Sequence, residues 1–472
     1  MTRGTSTDSV DEVLPVSRLT LLGLQHVLLM YAGAITVPFI VGGALKLPKD
    51  QVALLISADL FCCGIVTLIQ SVGFWHVGIR LPVMMGVAFA PVAAIIQIGS
   101  NPALGLRAVF GAVIGSGIFT FLAAPYMSRI VRWFPPLVIG TMLLLVGITL
   151  IMLVSIKQVV GGDPFISGPS GSVPNPNYGV PSHLAVSGIV LVSILLMTRF
   201  LRGFAANVAV LLGIAIGFLI VLASGDISFG GIADAGWFNI VLPFQFGLPV
   251  FDLAAIATLS VFMVAVMIES SGLFMALGEI TGRRISQHDI RKGLRADGIG
   301  NIVGGIFSAF TYTSYAQNVG LVQVTGVHSR WVCASAGVIL IILGCIPKLS
   351  FVAASIPAFV LGAAAMIMFG IMAGTGVKLL SQVDFATDRH NLYVVAIGLS
   401  FGLMPLVSDK LFARLPDTIG HFVHNGILLG TFTAVILNAL FSGLNKSKQN
   451  PIDLYAPAMP GDISHADAAP SA

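Results

Sequence analysis

The chain has 472 residues, of which 56% are apolar or aromatic and only 9% charged, with a mean hydropathy of +0.97. Soluble chains carry about 25% charged residues to keep their surface wet, so this one takes lipid as its main solvent. The same figures exclude disordered, nucleic-acid-binding and disulfide-stapled secreted classes, and a formal charge of +4 bears on topology more than on partners.

The first eighteen residues are polar and mixed in charge, without the basic start, short apolar core and small-residue site of a cleavable signal peptide. Fourteen apolar runs follow, at 19–43, 51–72, 81–97, 103–126, 134–155, 185–198, 204–223, 250–278, 296–309, 313–326, 331–346, 350–377, 391–407 and 425–444. They predict an all-α polytopic membrane protein of fourteen spans. The third run is broken by Pro82, Gly86 and Pro91, and the tenth is polar for a span and carries Gly320 and Gly326. Irregular backbone at membrane depth survives only where protein or a polar cavity satisfies it. The two defective runs stand seven apart, the pattern of an inverted repeat of seven plus seven spans, and paired interrupted segments point to a transporter's binding site.

The largest outer loop, 157–183, reads as irregular, and the basic inner loop, 279–295, as a short amphipathic helix. The tail from Asn445 is polar and too short for a folded domain. With the N-terminus inside, seventeen of the twenty-four Lys and Arg fall on the inner side, as the positive-inside rule expects, and both termini are cytoplasmic. Cys62, Cys63, Cys333 and Cys345 lack metal or redox spacing and read as buried packing. No cofactor or metal is implied. GxxxxGK[ST] is absent, and Gly298, Gly300 and Gly304 miss GxGxxG spacing. Uphill transport would therefore draw on an ion gradient or a separate partner.

Three acids, Asp59, Glu269 and Asp297, lie within or at the edge of the runs. Each costs about 2.5–3.5 kcal/mol at a helix centre, so each needs a reason. Glu269 sits in a small-residue break, Glu269-Ser270-Ser271-Gly272, inside the eighth run. Asp297 precedes a flexible run of Gly298, Gly300, Gly304 and Gly305. Asp59, beside Cys62 and Cys63, reads as structural. His26 stands on an otherwise apolar or small face with Met30, Gly33 and Val37. Such a histidine is more often an interhelical hydrogen bonder than a proton carrier.

The tenth run contains Gln317-Asn318-Val319-Gly320-Leu321-Val322-Gln323-Val324-Thr325-Gly326. It resembles the signature of the nucleobase–ascorbate transporter family, [QEP]-N-x-G-x(4)-T-[RKG], at every fixed position. The continuation Val327-His328-Ser329-Arg330, the segment Ile268-Glu269-Ser270-Ser271-Gly272, and Gln25-His26 with Met30-Tyr31 also look like that family. The likeness spans residues 18–445 and is greatest to bacterial uric acid and xanthine permeases.

The resemblance implies two inverted seven-span repeats divided between a core and a gate. The core comprises 19–126 and 250–349, and the gate 127–249 and 350–444, with cytoplasmic tails at 1–18 and 445–472. Short antiparallel strands in spans three and ten meet at the binding site, and homodimers in the inner membrane are usual. It makes Glu269 the substrate-binding carboxylate, Gln317 the substrate-binding amide and Asn318 its signature neighbour. Ala316 joins that set, Phe89 is the third-span aromatic near the base, with Ala88 before it, and Asp297 is tied to cation coupling. Leu273 departs from the acid of several xanthine transporters, which weakens a purely xanthine-specific site.

The chemistry of the residues agrees. An oxopurine presents N–H donors and C=O acceptors in one plane. A carboxylate offers acceptors alone, and a Gln amide offers a donor and an acceptor. Phe89, Tyr312 and Tyr315 are candidates to pack on the ring. The sequence thus predicts a proton-coupled oxopurine symporter, urate and xanthine first, with Asp297 as proton acceptor and His26 as modulator. Sodium coupling stands as an alternative to protons. A uracil transporter of the same fold would suit an acid at position 317. An anion exchanger of the sulfate or bicarbonate type usually carries a soluble C-terminal domain, which the tail is too short to form. No nucleophile–base or metal motif supports an enzyme.

Overall fold

The computed structural model describes residues 9–127, 134–168, 171–225, 227, 232, 235–408, 411 and 425–442. It is mostly helical, as lipid demands of a chain whose backbone groups must pair internally. In order, the helices are α1 (Val16–Ala44), α2 (Lys49–Val72), α3 (Val92–Ser100), α4 (Gly105–Ala123), α5 (Pro136–Val160), α6 (Pro181–Phe200) and α7 (Ala209–Ser224). There follow α8 (Leu253–Thr281), α9 (Gln287–Ile306), α10 (Ala316–Thr325), α11 (Arg330–Gly344), α12 (Pro347–Ala354), α13 (Ala358–Leu380), α14 (His390–Val407) and α15 (Gly426–Ser442). Eight helices among the described residues are long and apolar enough to cross a membrane, or nine if α11 and α12, bent by 81°, form one broken span. The chain is a multi-pass membrane protein.

The two broken runs become strand-plus-helix units. Strand β1 (Met85–Val87) precedes α3, and β4 (Tyr312–Ser314) precedes α10. The strands pair antiparallel, with Met85 opposite Ser314, Gly86 opposite Thr313 and Val87 opposite Tyr312. Pairing extends outward as Ala88 N donates to Thr311 O (2.8 Å) and Tyr315 N to Met84 O (2.9 Å). Side chains from the preceding helices take further strand N–H groups. Thr67 Oγ1 accepts from Met85 N at 3.0 Å, and Asn301 Oδ1 accepts from Tyr312 N at 2.6 Å. Non-helical backbone is stable here because its polar groups are paired inside protein.

The helices pack as two groups. In one, α2 lies against α1, α9, α11 and α12, while α4 lies against α3, α8 and α9. In the other, α5 lies against α13, α14 and α15, and α6 against α7 and α13. The groups touch where α1 meets α7 and α13, and where α10 meets the short helix Phe204–Asn207.

Four local expectations are corrected. The basic inner loop is not a separate helix. α8 runs to Thr281 and stops at Gly282 in the left-handed conformation (φ 71°). A capping box between Ser286 and Asp289 then starts α9, which continues unbroken into the ninth run. The glycines after Asp297 are helical rather than flexible, and they admit close neighbours. A Cβ on Gly298 would lie 2.6 Å from Phe121 N on α4, and one on Gly304 would lie 2.7 Å from the Tyr312 ring. The outer loop is partly ordered: α5 reaches Val160 through a π-helical stretch at Ile151–Ile156, and β2 (Phe165–Gly168) pairs with β3 (Gly171–Pro174). The twelfth run begins in the separate helix α12, because Pro357 stands as the cap at which α13 starts afresh. All four cysteines are buried and free.

Residues 9–12 lie on the loop that follows α10. Arg330 N donates to Val10 O (2.9 Å), and the Arg330 guanidinium pairs with Asp11 (2.5 Å) while donating to Ser71 O and Val72 O at the end of α2.

Candidate functional site

A cavity of about 100 Å³ lies between the two helix groups. One wall comes from β1 and its continuation (Val87, Ala88, Phe89, Ala90), from Glu269 on α8, and from β4 into α10 (Thr313, Ser314, Tyr315, Ala316, Gln317). The facing wall comes from Leu143 on α5 and from Met368, Ile371, Met372 and Thr375 on α13. The latter four recur at helical spacing and present one face of α13.

Five of the eight predicted residues meet here: Ala88, Phe89, Glu269, Ala316 and Gln317. The strand crossing brings them together. The strands are only three residues long, so although their ends lie at opposite ends of the antiparallel pair, the segments that leave them, 88–90 and 315–317, still line one cavity. The Glu269 carboxylate and the Gln317 amide have no hydrogen-bond partner among the described residues, whereas most polar side chains nearby do. An acid at this depth without a protein partner is poised toward a ligand. Phe89 is half-buried and meets Phe369 edge to face, with ring centroids 5.7 Å apart. Ala88 is buried against Met263 and Val266, a turn or two before Glu269 on α8. Tyr315 lies over Gly33 and Gly86, where no side chain would fit.

Three predicted residues lie outside the lining. Asn318 is wholly buried, and its Nδ2 stands 2.9 Å from His26 Nδ1 and donates to His26 O at 3.3 Å. That pair ties α1 to α10, so His26 makes an interhelical hydrogen bond, and Asn318 faces α1 rather than the cavity. Asp297 is wholly buried on α9, where Gln70 Nε2 donates to its Oδ1 (3.1 Å) and to Gly293 O (3.2 Å). Gln70 Oε1 in turn accepts from Ile79 N. Asp297 Oδ2 makes no hydrogen bond, although Ser270, adjacent to Glu269 in sequence, lies alongside it. Ser270 Oγ is 3.4 Å from Thr313 Oγ1 in the cavity wall, so Asp297 stands one residue behind the lining. Tyr312 is no ring-stacking residue. It is fully buried, and its hydroxyl donates to Asp59 Oδ1 at 2.8 Å.

The cavity residues of α5 and α13 were not anticipated. Their runs carry only scattered hydroxyls and no charged or amide side chain within the span, so little polar contrast marks the inward face. A larger cavity of about 310 Å³, lined by Asp50, Ser57, Asn239, Gln245 and Phe351 among others, holds none of the predicted residues. The unpartnered carboxylate and amide, not size, single out the smaller one.

A mostly apolar pocket holding a few polar groups, set between two packed helix groups and floored by paired broken segments, is the arrangement expected of a membrane transporter. Residues 17–411 match the model of the permease family named Xan_ur_permease, the nucleobase–ascorbate transporters, and the chain belongs to that family. It is a permease, not an enzyme. The uric acid transporter UacT of Escherichia coli is 49% identical over 438 residues, covering 93% of this chain and 89% of the relative. The uric acid permease PucJ and the xanthine permease of Bacillus subtilis are each 41% identical, over 90% and 91% of this chain and 93% and 94% of their own lengths. The fold is shared with the transmembrane domain of a cyanobacterium bicarbonate transporter, BicA (TM-score 0.56, 17% identity, covering 90% of this chain and 98% of that one). It is shared also with SLC26A9 (TM-score 0.60, 11% identity, covering 90% and 66%).

Proposed function

We propose that the chain is a secondary active transporter that takes up oxopurines, uric acid and xanthine, by proton symport. The observation that carries this reading is the pair of unpartnered groups, Glu269 and Gln317, facing one small cavity beside Phe89. Glu269 accepts ring N–H groups, and Gln317 pairs with a lactam edge through its donor and acceptor together. The similarity to uric acid and xanthine permeases supports the substrate class. A site built this way rejects analogues that, once bound, leave its polar groups shut off from water and unpaired.

Fourteen spans in two inverted repeats, a core of 19–126 and 250–349, and a gate of 127–249 and 350–444 suit the packing of two helix groups around the cavity. The core, carrying Glu269 and the strand crossing, moves against the gate, carrying Leu143 and the α13 face, for alternating access. The inner membrane, cytoplasmic termini and a homodimer belong to the same reading. Uptake of radiolabelled urate, xanthine and uracil by whole cells, with and without a proton gradient, tests it. Uptake that ignores a proton uncoupler and follows sodium, or that favours uracil, overturns it.

Two variants probe the base contacts. Gln317→Glu loses the amide donor, and purine affinity is expected to fall by the equivalent of one or two hydrogen bonds at ~0.5–1.5 kcal/mol each. Uracil affinity is expected to rise. An unchanged competition profile across the three bases would show that Gln317 does not touch substrate. Ala88 contributes no hydrogen-bonding side chain and leaves its volume free, and Ala88→Asn crowds the edge where urate carries its extra C8 oxygen. Urate uptake is expected to fall more than xanthine uptake at matched membrane abundance. An equal fall in both would assign Ala88 to packing against Met263 and Val266.

A further inference from the structure

Asp59 is fully buried on α2 and is not among the residues that line the cavity. Its carboxylate has two partners. Tyr312 O–H donates to Oδ1 at 2.8 Å, and the Cys63 thiol lies 3.7 Å from Oδ2. Tyr312 is the first residue of β4 and is held at three points: its hydroxyl by Asp59, its N–H by Asn301 Oδ1 at 2.6 Å, and its ring against Gly304. The next residue, Thr313, lines the cavity and lies 3.4 Å from Ser270, the neighbour of Glu269. Strand geometry turns Thr313 to the opposite face from Tyr312, so the depth at which Tyr312 is seated sets the height of the cavity floor.

We infer that Asp59 is a positioning residue for substrate. Through its hydrogen bond to Tyr312 it sets the register and depth of β4, and so places Thr313 and the 315–317 segment opposite Glu269. The inference rests on the oxopurine reading for its transport readout, but not for its structural one. An acceptor is what the role needs. A charge is not, because the Tyr312 hydroxyl is satisfied by any well-placed oxygen. An apolar side chain there would leave the Tyr312 hydroxyl only the longer bond it makes to the Asp59 backbone carbonyl, at 3.3 Å.

The test compares Asp59→Asn, Asp59→Ala, Tyr312→Phe and the double variant Asp59→Ala/Tyr312→Phe with the unaltered protein, at matched membrane abundance. Two readouts are taken: KM and maximal rate for urate and xanthine uptake, and amide hydrogen exchange over residues 311–317 in purified protein. Asp59→Asn keeps an acceptor, and both readouts are expected within about twofold of the unaltered protein. Asp59→Ala and Tyr312→Phe are each expected to raise KM roughly three- to tenfold, with a smaller change in maximal rate and faster exchange over 311–317. The double variant is expected to be no worse than the weaker single one, because both remove the same bond. Complete loss of uptake in Asp59→Asn with an ordinary KM in Tyr312→Phe would overturn the inference and give the acid a role of its own. So would exchange over 311–317 that is unchanged in Tyr312→Phe. If the unaltered protein takes up neither purine, the substrate reading has failed, and the exchange measurement still decides the role of Asp59.

Discussion

Glu269→Gln is expected to abolish purine uptake while the protein still reaches the membrane. The side chain is half-buried on α8, lines the cavity and has no hydrogen-bond partner among the described residues, so nothing in the fold depends on its charge. Gln keeps the shape, but it replaces one acceptor oxygen with an NH₂ group that opposes a ring N–H. The loss is that of about two hydrogen bonds to a charged group, at ~1.5–3 kcal/mol each. That corresponds to at least roughly a hundredfold fall in uptake. The measurement is initial-rate uptake of urate and xanthine, normalised to membrane protein detected by an epitope tag. Normal uptake at comparable abundance would remove Glu269 from the substrate site.

The architecture was legible because lipid imposes one strong rule, that polar backbone must be paired or broken for a reason. Among the described residues most of the apolar runs fall on a helix or a strand-plus-helix unit, the twelfth being divided between α12 and α13, and the breaks at Pro82, Gly86 and Pro91 fall where β1 and its turns lie. Glu269 and Gln317 were legible for the same reason, since a polar group in an apolar run stands out. What the sequence concealed is what contrast cannot mark. The α13 face of Met368, Ile371, Met372 and Thr375 sits in a run whose few hydroxyls hardly set it apart from its other sides. Tyr312 and Tyr315 look alike in the chain, yet Tyr312 opens β4 and bonds to Asp59, whereas Tyr315 caps α10 and lies over Gly33 and Gly86. Glycines 298 and 304 read as flexible because composition alone does not separate a hinge from a close crossing. Asn318 belongs to the signature but bonds to His26. A signature residue can thus fix the orientation of α10 as easily as it can touch a ligand.

Asp297→Asn separates accumulation from binding. Asp297 lies one residue behind the cavity wall, in contact with Gln70, and so can report the gradient without forming the base contacts. As a proton acceptor it would be neutral while the loaded core moves, which removes the cost of carrying a buried charge. Asn is permanently neutral and cannot give up the proton on the inner side. The variant is expected to lose gradient-driven accumulation altogether, while exchanging labelled for unlabelled purine and retaining some substrate binding. The fold supplies its own control. Gln70 Nε2 donates to Asp297 Oδ1 and to Gly293 O, and the Asn carbonyl can still accept the first of these bonds, so the clamp on α9 persists. A collapse of protein levels is therefore not expected. Measuring counterflow and net uptake side by side decides the matter: loss of both would mean a damaged site. Continued concentration of purine by the Asn variant would leave Asp297 as the acceptor that holds α9 to Gln70, and coupling would have to be sought in another group.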